Sequence, residues 1–341
     1  MRFLQSSWCP ACLGIICSVL ILSSLLPSAQ NKTFVHSFTN QYREGDEWIA
    51  PDENEIPSNS EGDLILYGKE LIANTSKYLG PNGIVAHVAN GMNCQNCHIN
   101  AGRENFGNPF SAVLTSYPKY RDRSGRVESI EFRINECMQR SMNGEALDSL
   151  STEMRAMVAY LKWVGKDVPE GVRPKGVGTI PPAYLERAAD PEKGKRVYSY
   201  YCQRCHGEDG QGIKNADASG YTYPPLWGGD SYNVSAGMYR LSHLAGFIKN
   251  NMPYGEVTWK NPRLSDEEAW DVAAYISSQQ RPVKLFGYDW PDASKKPVDY
   301  PFGPFTDGFS DLQHKYGPFG AIKNKKASSN TSLTQITTGL K

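Results

Sequence analysis

The sequence predicts a mainly helical protein of two tandem domains of one kind, joined by a Pro/Gly-rich linker and followed by an irregular C-terminal extension. Three observations carry that expectation. A length of 341 residues, at roughly 100–200 residues per domain, allows two domains with tails. One short pattern occurs twice, at Cys94–His98 and Cys202–His206, and similar amphipathic runs flank both copies in the same order. The 36 Lys+Arg and 36 Asp+Glu cancel, without the basic surplus of a general nucleic-acid binder. A hydrophobic content of 40% fits neither a wholly disordered chain nor a multi-span membrane protein.

Residues 1–29 read as a secretory signal peptide. Arg2 supplies a positive start, Leu13 to Leu26 is an apolar run, and Pro27-Ser28-Ala29 offers small residues for cleavage. The run is short for a bilayer span, although Pro27 is a poor residue ahead of a cut after Ala29 and leaves an uncleaved anchor as the alternative. Cys9-Pro10-Ala11-Cys12 has thioredoxin-like spacing but falls within this segment. Removing it takes one Arg and no acid, for a net charge of −1, and leaves Cys94, Cys97, Cys137, Cys202 and Cys205 in an exported, periplasmic chain. No integral membrane domain is expected after cleavage.

Cys94-Gln95-Asn96-Cys97-His98 and Cys202-Gln203-Arg204-Cys205-His206 both read C-x-x-C-H, the attachment pattern of c-type haem. Two thiols three residues apart reach the two vinyl groups of one porphyrin, and the adjacent imidazole meets the iron. Zinc fails as an explanation, because neither motif has a second C-x-x-C or H-x-x-x-H at zinc spacing. A redox dithiol fails because histidine trails both copies. Two covalently bound haem c groups are expected.

The surroundings of the motifs repeat as well. Gly68-Lys69-Glu70-Leu71 precedes the first and Gly194-Lys195-Arg196-Val197 the second; downstream, Glu153–Leu161 matches Glu268–Ile276. Ser265 with Glu268 forms a capping box. A helix, a haem motif and a closing helix make a minimal class I-like cytochrome c domain whose terminal helices cross, with Gly68 and Gly194 permitting close approach. The expected domains are 30–166 and 191–281. Residues 167–190, with the Pro/Gly-rich stretch Val168–Pro182, form the linker. Residues 282–341 form a wrapped extension, ending in a Ser/Thr/Asn-rich segment from Lys323 that is expected to be disordered.

The sixth ligands separate the two haems. In the second domain Met252, followed by Pro253 and preceded by Tyr223-Pro224-Pro225-Leu226, is the expected distal ligand; a thioether raises the iron potential. Met238 and His243 are the alternatives. The first domain lacks such a Met-Pro pair, but Cys137 is a thiol with no thioether to make. In an oxidising compartment a lone thiol is at risk, whereas iron would keep it a thiolate and be lowered in potential by it. The bland alternative is an inert buried Cys137 with Met138 or Met142 on the iron. Lys119, Arg121, Arg123, Arg126, Arg133 and Arg140 crowd this segment. A charged run is usually a solvated surface, yet guanidinium forks suit anionic oxygens. A haem-bound sulfur beside several arginines would suit a small dianion carrying sulfur, and binding two such anions together needs fixed positive groups to offset their repulsion.

The stretch Arg133–Gly144 (RINECMQRSMNG), the two motifs, Asn251-Met252-Pro253-Tyr254-Gly255 and Asp299-Tyr300-Pro301-Phe302-Gly303-Pro304 together resemble the dihaem, tetrathionate-forming thiosulfate dehydrogenases. The resemblance implies oxidative joining of two thiosulfates to tetrathionate, with tetrathionate reduction as the reverse activity and a soluble c-type cytochrome as electron acceptor. It implies His98/Cys137 ligation at the catalytic haem and His206/Met252 at the exit haem. It also implies that Cys137 transiently bonds a substrate sulfur while Arg123, Arg133 and Ser141 hold the oxygens. Some members have Lys immediately before the exit-haem Met and exchange ligands on reduction; Asn251 stands there in this chain, with Lys249 nearby. The rival readings are a dihaem electron carrier with His/Met ligation at both irons, and a sulfur transferase acting on a carrier protein.

Overall fold

The first domain is built around two crossing helices whose starts are set by side-chain caps. The computed structural model describes residues 42–328, so the signal-peptide reading of residues 1–29 and the end of the tail lie outside the described residues. Asn59 accepts from the amides of Glu61 and Gly62 and opens α1 (Ser60–Ala73), which runs into the short α2 (Thr75–Leu79). The first motif lies on a tight turn, and α3 (Ile99–Gly102) follows as a single distorted turn. A small antiparallel hairpin, β1 (Lys119–Arg121) with β2 (Arg126–Glu128), pairs Tyr120 with Val127. Ser129 then caps α4 (Ile130–Arg140) and Ser151 caps α5 (Thr152–Val164).

The second domain repeats the scheme. Asp190 caps α6 (Pro191–Tyr201), with Pro191 in the first turn where its missing N–H costs nothing. The second motif falls on α7 (Gln203–His206), followed by the pair β3 (Ile213–Lys214) and β4 (Tyr221–Tyr223), then α8 (Leu241–Asn251) and α9 (Asp266–Ser278). The expected capping box is present: Ser265 Oγ accepts from Glu268 N at 3.2 Å, and Glu268 Oε2 accepts from Ser265 N at 2.9 Å.

The glycine expectation is met at both crossings. A methyl group placed on Gly68 would lie 2.0 Å from the Ala156 carbonyl oxygen, and one on Gly194 would lie 1.9 Å from that of Asp271. Only glycine therefore lets α1 meet α5, and α6 meet α9, at these separations. Leu71, Met157, Tyr160 and Val164 anchor the first core; Tyr198, Leu241, Trp270 and Ile276 anchor the second. The cores adjoin, since Ile99, from the first motif's turn, is buried in the second-domain cluster and Cys97 packs against it.

The linker is bonded to both domains. Phe106 N donates to Gly176 O at 2.7 Å, Asn108 N to Gly178 O at 3.1 Å, and Ile180 N to Asn250 Oδ1 at 2.7 Å. After residue 281 the chain crosses both domains: Lys284 Nζ donates to Gly144 O at 2.8 Å, and Asp299 Oδ2 accepts from Ser242 N at 3.0 Å. It then forms α10 (Asp311–Tyr316) and a helix over residues 320–328. That last helix differs from the disordered end expected from Lys323. Phe319 and Ile322 are buried in the second core, and Lys323 N donates to Phe319 O at 3.0 Å, so two apolar anchors order a polar segment. No helix among the described residues is long and apolar enough to cross a membrane.

Candidate functional site

The two C-x-x-C-H motifs present their groups in the same way. His98 Nδ1 lies 2.7 Å from Asn108 O, and His206 Nδ1 lies 2.8 Å from Pro224 O. A carbonyl at Nδ1 makes it the donor and leaves Nε2 with its lone pair for a metal. Burial lowers the pKa of both imidazoles, His98 to about 4, so both are held neutral as ligation requires. Cys94, Cys97, Cys202 and Cys205 are free thiols rather than disulfides. Burial pushes Cys94 up to about 11 and Cys97 and Cys202 to about 12, yet all three keep part of their surface open. Two thiols and a carbonyl-oriented imidazole in each domain fit a c-type haem.

In the first domain α4 supplies the other wall. Residues four apart lie on one helix face, so Arg133, Cys137 and Ser141 form a single row. Ser129 Oγ starts the helix by accepting from Phe132 N at 3.2 Å, and Ser141 ends it by donating its N–H to Cys137 O at 2.8 Å. Cys137 is half-buried and close enough to Cys94 and Cys97 that its negative form adds to the rise in both thiol pKa values. Its thiolate is also the largest influence raising the Arg133 pKa. Met138 and Met142, the alternative ligands, are 1% and 3% exposed and packed in the first core.

The arginines separate into two groups. Arg133 spends only Nη1 on protein, at 3.3 Å from Glu136 Oε2, so Nε and Nη2 have no hydrogen-bond partner among the described residues. The Ser141 hydroxyl likewise has none there. Arg123, expected to hold substrate oxygens, is engaged by the C-terminal extension. Its Nε and Nη2 lie 3.2 and 2.8 Å from Asp289 Oδ2, and Nη2 also reaches Ser235 O at 2.8 Å, leaving Nη1 open. Arg140 is 2% exposed and grips both oxygens of Asp289, at 2.7 and 2.8 Å, and Glu136 Oε1 at 3.1 Å. Its guanidinium carbon lies 4.0 Å from the Phe286 ring centroid. Arg121 and Arg126 stay on the hairpin.

The second domain is different in kind around Met252. Met252 follows the end of α8, half-buried against the second core, while Met238 is 8% exposed within that core. Asn251 is held by two bonds, its Nδ2 donating to Phe247 O at 3.0 Å and to Phe106 O at 3.1 Å. Lys249 is ion-paired with Asp266. His243 has an open surface, yet desolvation first, then Arg240, lowers its pKa to about 4, and Arg133 contributes across the domain boundary. His243 therefore lies within electrostatic reach of the first-domain row.

Asp289, Glu136 and Asn108 escaped the sequence reading. Glu136 was not singled out there, although its spacing to Arg133 and Arg140 was a usable signal. Asp289 offered only that it lies between Tyr288 and Trp290, with nothing to single it out from Asp292 and Asp299.

Two family models cover most of the described chain. Residues 85–169 match the SoxA/TsdA cytochrome c domain, and residues 191–280 match cytochrome c. The chain is 37% identical over 274 residues to the thiosulfate dehydrogenase of Psychrobacter arcticus, covering 80% of each chain. It is 39% identical over 232 residues to that of Stutzerimonas stutzeri, covering 68% of this chain and 72% of the relative. Among solved structures it resembles the thiosulfate dehydrogenase TsdBA of Marichromatium purpuratum, "as isolated", with a TM-score of 0.65 and 29% identity over 76% of this chain; it spans 54% of that longer chain. Two tandem cytochrome c domains with these relatives place the chain in the thiosulfate dehydrogenase family.

Proposed function

We propose that the chain oxidises thiosulfate to tetrathionate in the periplasm, with Cys137 as the reacting residue. The observation that carries this reading is the single row Arg133–Cys137–Ser141 on α4, set beside the Cys94–Cys97–His98 motif. Bound haem supplies iron that accepts and passes on single electrons. Cys94 and Cys97 would tether the first group and Cys202 and Cys205 the second. His98 with Cys137 would hold the first iron, and His206 with Met252 the second.

The residues of the chain bind and align the substrate. Thiosulfate is a dianion, and the open donors of Arg133, Arg123 Nη1 and the Ser141 hydroxyl match its oxygens. Two dianions brought together repel at any dielectric, so fixed guanidinium charge lowers the cost of the encounter. The Cys137 thiolate and one thiosulfate form a sulfur–sulfur bond and give up two electrons. A second thiosulfate then attacks that bond, releasing tetrathionate and restoring the thiolate. The overall change is two thiosulfates to one tetrathionate and two electrons, which leave by the Met252 side to a soluble c-type cytochrome. Export follows from the segment at residues 1–29 and from the attachment chemistry of both motifs.

Purified protein carrying both haems should be reduced by thiosulfate, with tetrathionate formed at one per two electrons. Absence of any thiosulfate- or tetrathionate-dependent redox change contradicts the reading. Assays in both directions establish whether the enzyme also works as a tetrathionate reductase.

A further inference from the structure

We propose that Asp289, on the C-terminal extension, is a positioning residue of the sulfur-oxyanion site: it occupies the fork between Arg123 and Arg140 and so decides which guanidinium edges are left for substrate. This rests on the reading of the site as one for thiosulfate. It concerns a residue that lies far along the chain from Cys137 and outside both cytochrome domains.

The geometry is that of a resident anion. Asp289 Oδ2 receives Arg140 Nη1 at 2.7 Å and Arg123 Nη2 and Nε at 2.8 and 3.2 Å, and Oδ1 receives Arg140 Nη2 at 2.8 Å. Its side chain is 7% exposed, against 13% for Arg123 and 2% for Arg140. A carboxylate with four charge-assisted contacts in a buried fork does what a bound sulfonate would do. The fork is fixed from the other side too. Glu136, 1% exposed, takes Arg140 Nη2, and Ser235 O takes Arg123 Nη2. Two features follow. The Nε/Nη2 edge of Arg123 is withdrawn from any ligand, while Nη1 is oriented by the pairing. Glu136 also bridges Arg140 to Arg133, so the same network sets the position of the guanidinium four residues from Cys137.

Asp289 therefore trades affinity for alignment. Its negative charge subtracts from the potential of the arginine cluster and weakens dianion binding in general, ordinary sulfate included. Its contacts hold the remaining donors where the reacting sulfur meets Cys137, and misplacement of about 1 Å costs on the order of 100-fold in rate. Asp299 is the natural control. It makes a comparable buried clamp, accepting from Ser242 N and Arg240, but at the start of α8 in the second domain.

The test compares Asp289→Asn, Asp289→Glu and Asp299→Asn in the full-length protein with both haems, normalised to haem content. For Asp289→Asn the expected result is a split. kcat falls tenfold or more, while KM for thiosulfate and the inhibition constant for sulfate each fall threefold or more, with the haem spectrum unchanged. A merely structural role lowers the melting temperature and the active fraction and leaves KM where it was. Asp299→Asn should behave in that second way. KM and sulfate inhibition within twofold of the parent, or weaker, in Asp289→Asn overturn the proposal. Asp289→Glu keeps the charge and moves it by one methylene. Its KM should stay within twofold while kcat falls threefold or more, and an unchanged kcat overturns the proposal even if the Asn variant does not fold. If the parent protein itself shows no thiosulfate-dependent turnover, it is the functional reading that fails.

Discussion

The two domains share one frame and differ on one face. Both place crossing helices over a motif whose histidine gives Nδ1 to a backbone carbonyl, 2.7 Å away in the first domain and 2.8 Å in the second. Both put glycine at the crossing, where a methyl group would strike a carbonyl oxygen. The difference lies in the side chains that each domain adds to the motif. The first domain presents Arg133, Cys137 and Ser141 along α4, with charged groups behind them; the second presents Met252 after α8, against an apolar core. In the proposed reading, the first domain serves the chemistry because a thiol and guanidinium groups stand where the second domain has an apolar surround. The C-terminal extension reinforces that asymmetry by sending Asp289 to α4 and Asp299 to α8.

The largest expected effect breaks the asymmetry outright. Cys137→Ala should lower thiosulfate turnover by at least about 10³-fold while both haems stay attached, since Cys94, Cys97, Cys202 and Cys205 are untouched. Activity near that of the parent would make the two domains equivalent carriers. Next come the crossings, where the comparison predicts equality. Gly68→Ala and Gly194→Ala should each cost about 3 kcal/mol or more, because the added methyl meets backbone rather than a flexible side chain. Chemical denaturation reads both, and a cheap substitution at one of them means that the helices there separate easily.

A smaller effect concerns pH. Burial pushes Asp289 and Asp299 upward, but their arginine partners and, for Asp299, the Ser242 contacts more than offset it, so both carboxyls lie below the ordinary value of 3.8. A carboxyl depressed on folding contributes stability above its unfolded pKa and loses it as pH falls through the folded one. Denaturation midpoints should therefore decline below about pH 4, and Asp299→Asn should flatten part of that decline. A decline unchanged in this variant would remove Asp299 from the acid response. The smallest effects lie at helix starts. Ser265→Ala should cost about 1 kcal/mol, and Ser151→Ala somewhat less, because Ser265 forms a reciprocal box with Glu268 whereas Ser151 only accepts from Met154 N. Equal losses would mean that the Glu268 half of the box contributes nothing.

What was legible in the sequence follows from distance along the chain. The haem motifs, the capping box and the crossing glycines are local patterns that spacing reveals, whereas the substrate roles expected of Arg133 and Ser141 came from the family resemblance. The Arg123 assignment needed more. Its Asp289 partner is 166 residues away, and Arg140 is 149 residues from the same carboxylate. No periodicity links an acid in an aromatic-rich extension to a basic helix. The last helix escaped for a related reason: Phe319 and Ile322 order it by burial in a core made elsewhere, which the polar composition after Lys323 conceals.

Low-temperature EPR of the oxidised dihaem protein tests the central contrast most directly. A sulfur ligand from Cys137 on one iron and from Met252 on the other predicts two distinct low-spin species, one with thiolate character that disappears in Cys137→Ala. Two species of the His/Met kind, unchanged by that substitution, would contradict the account.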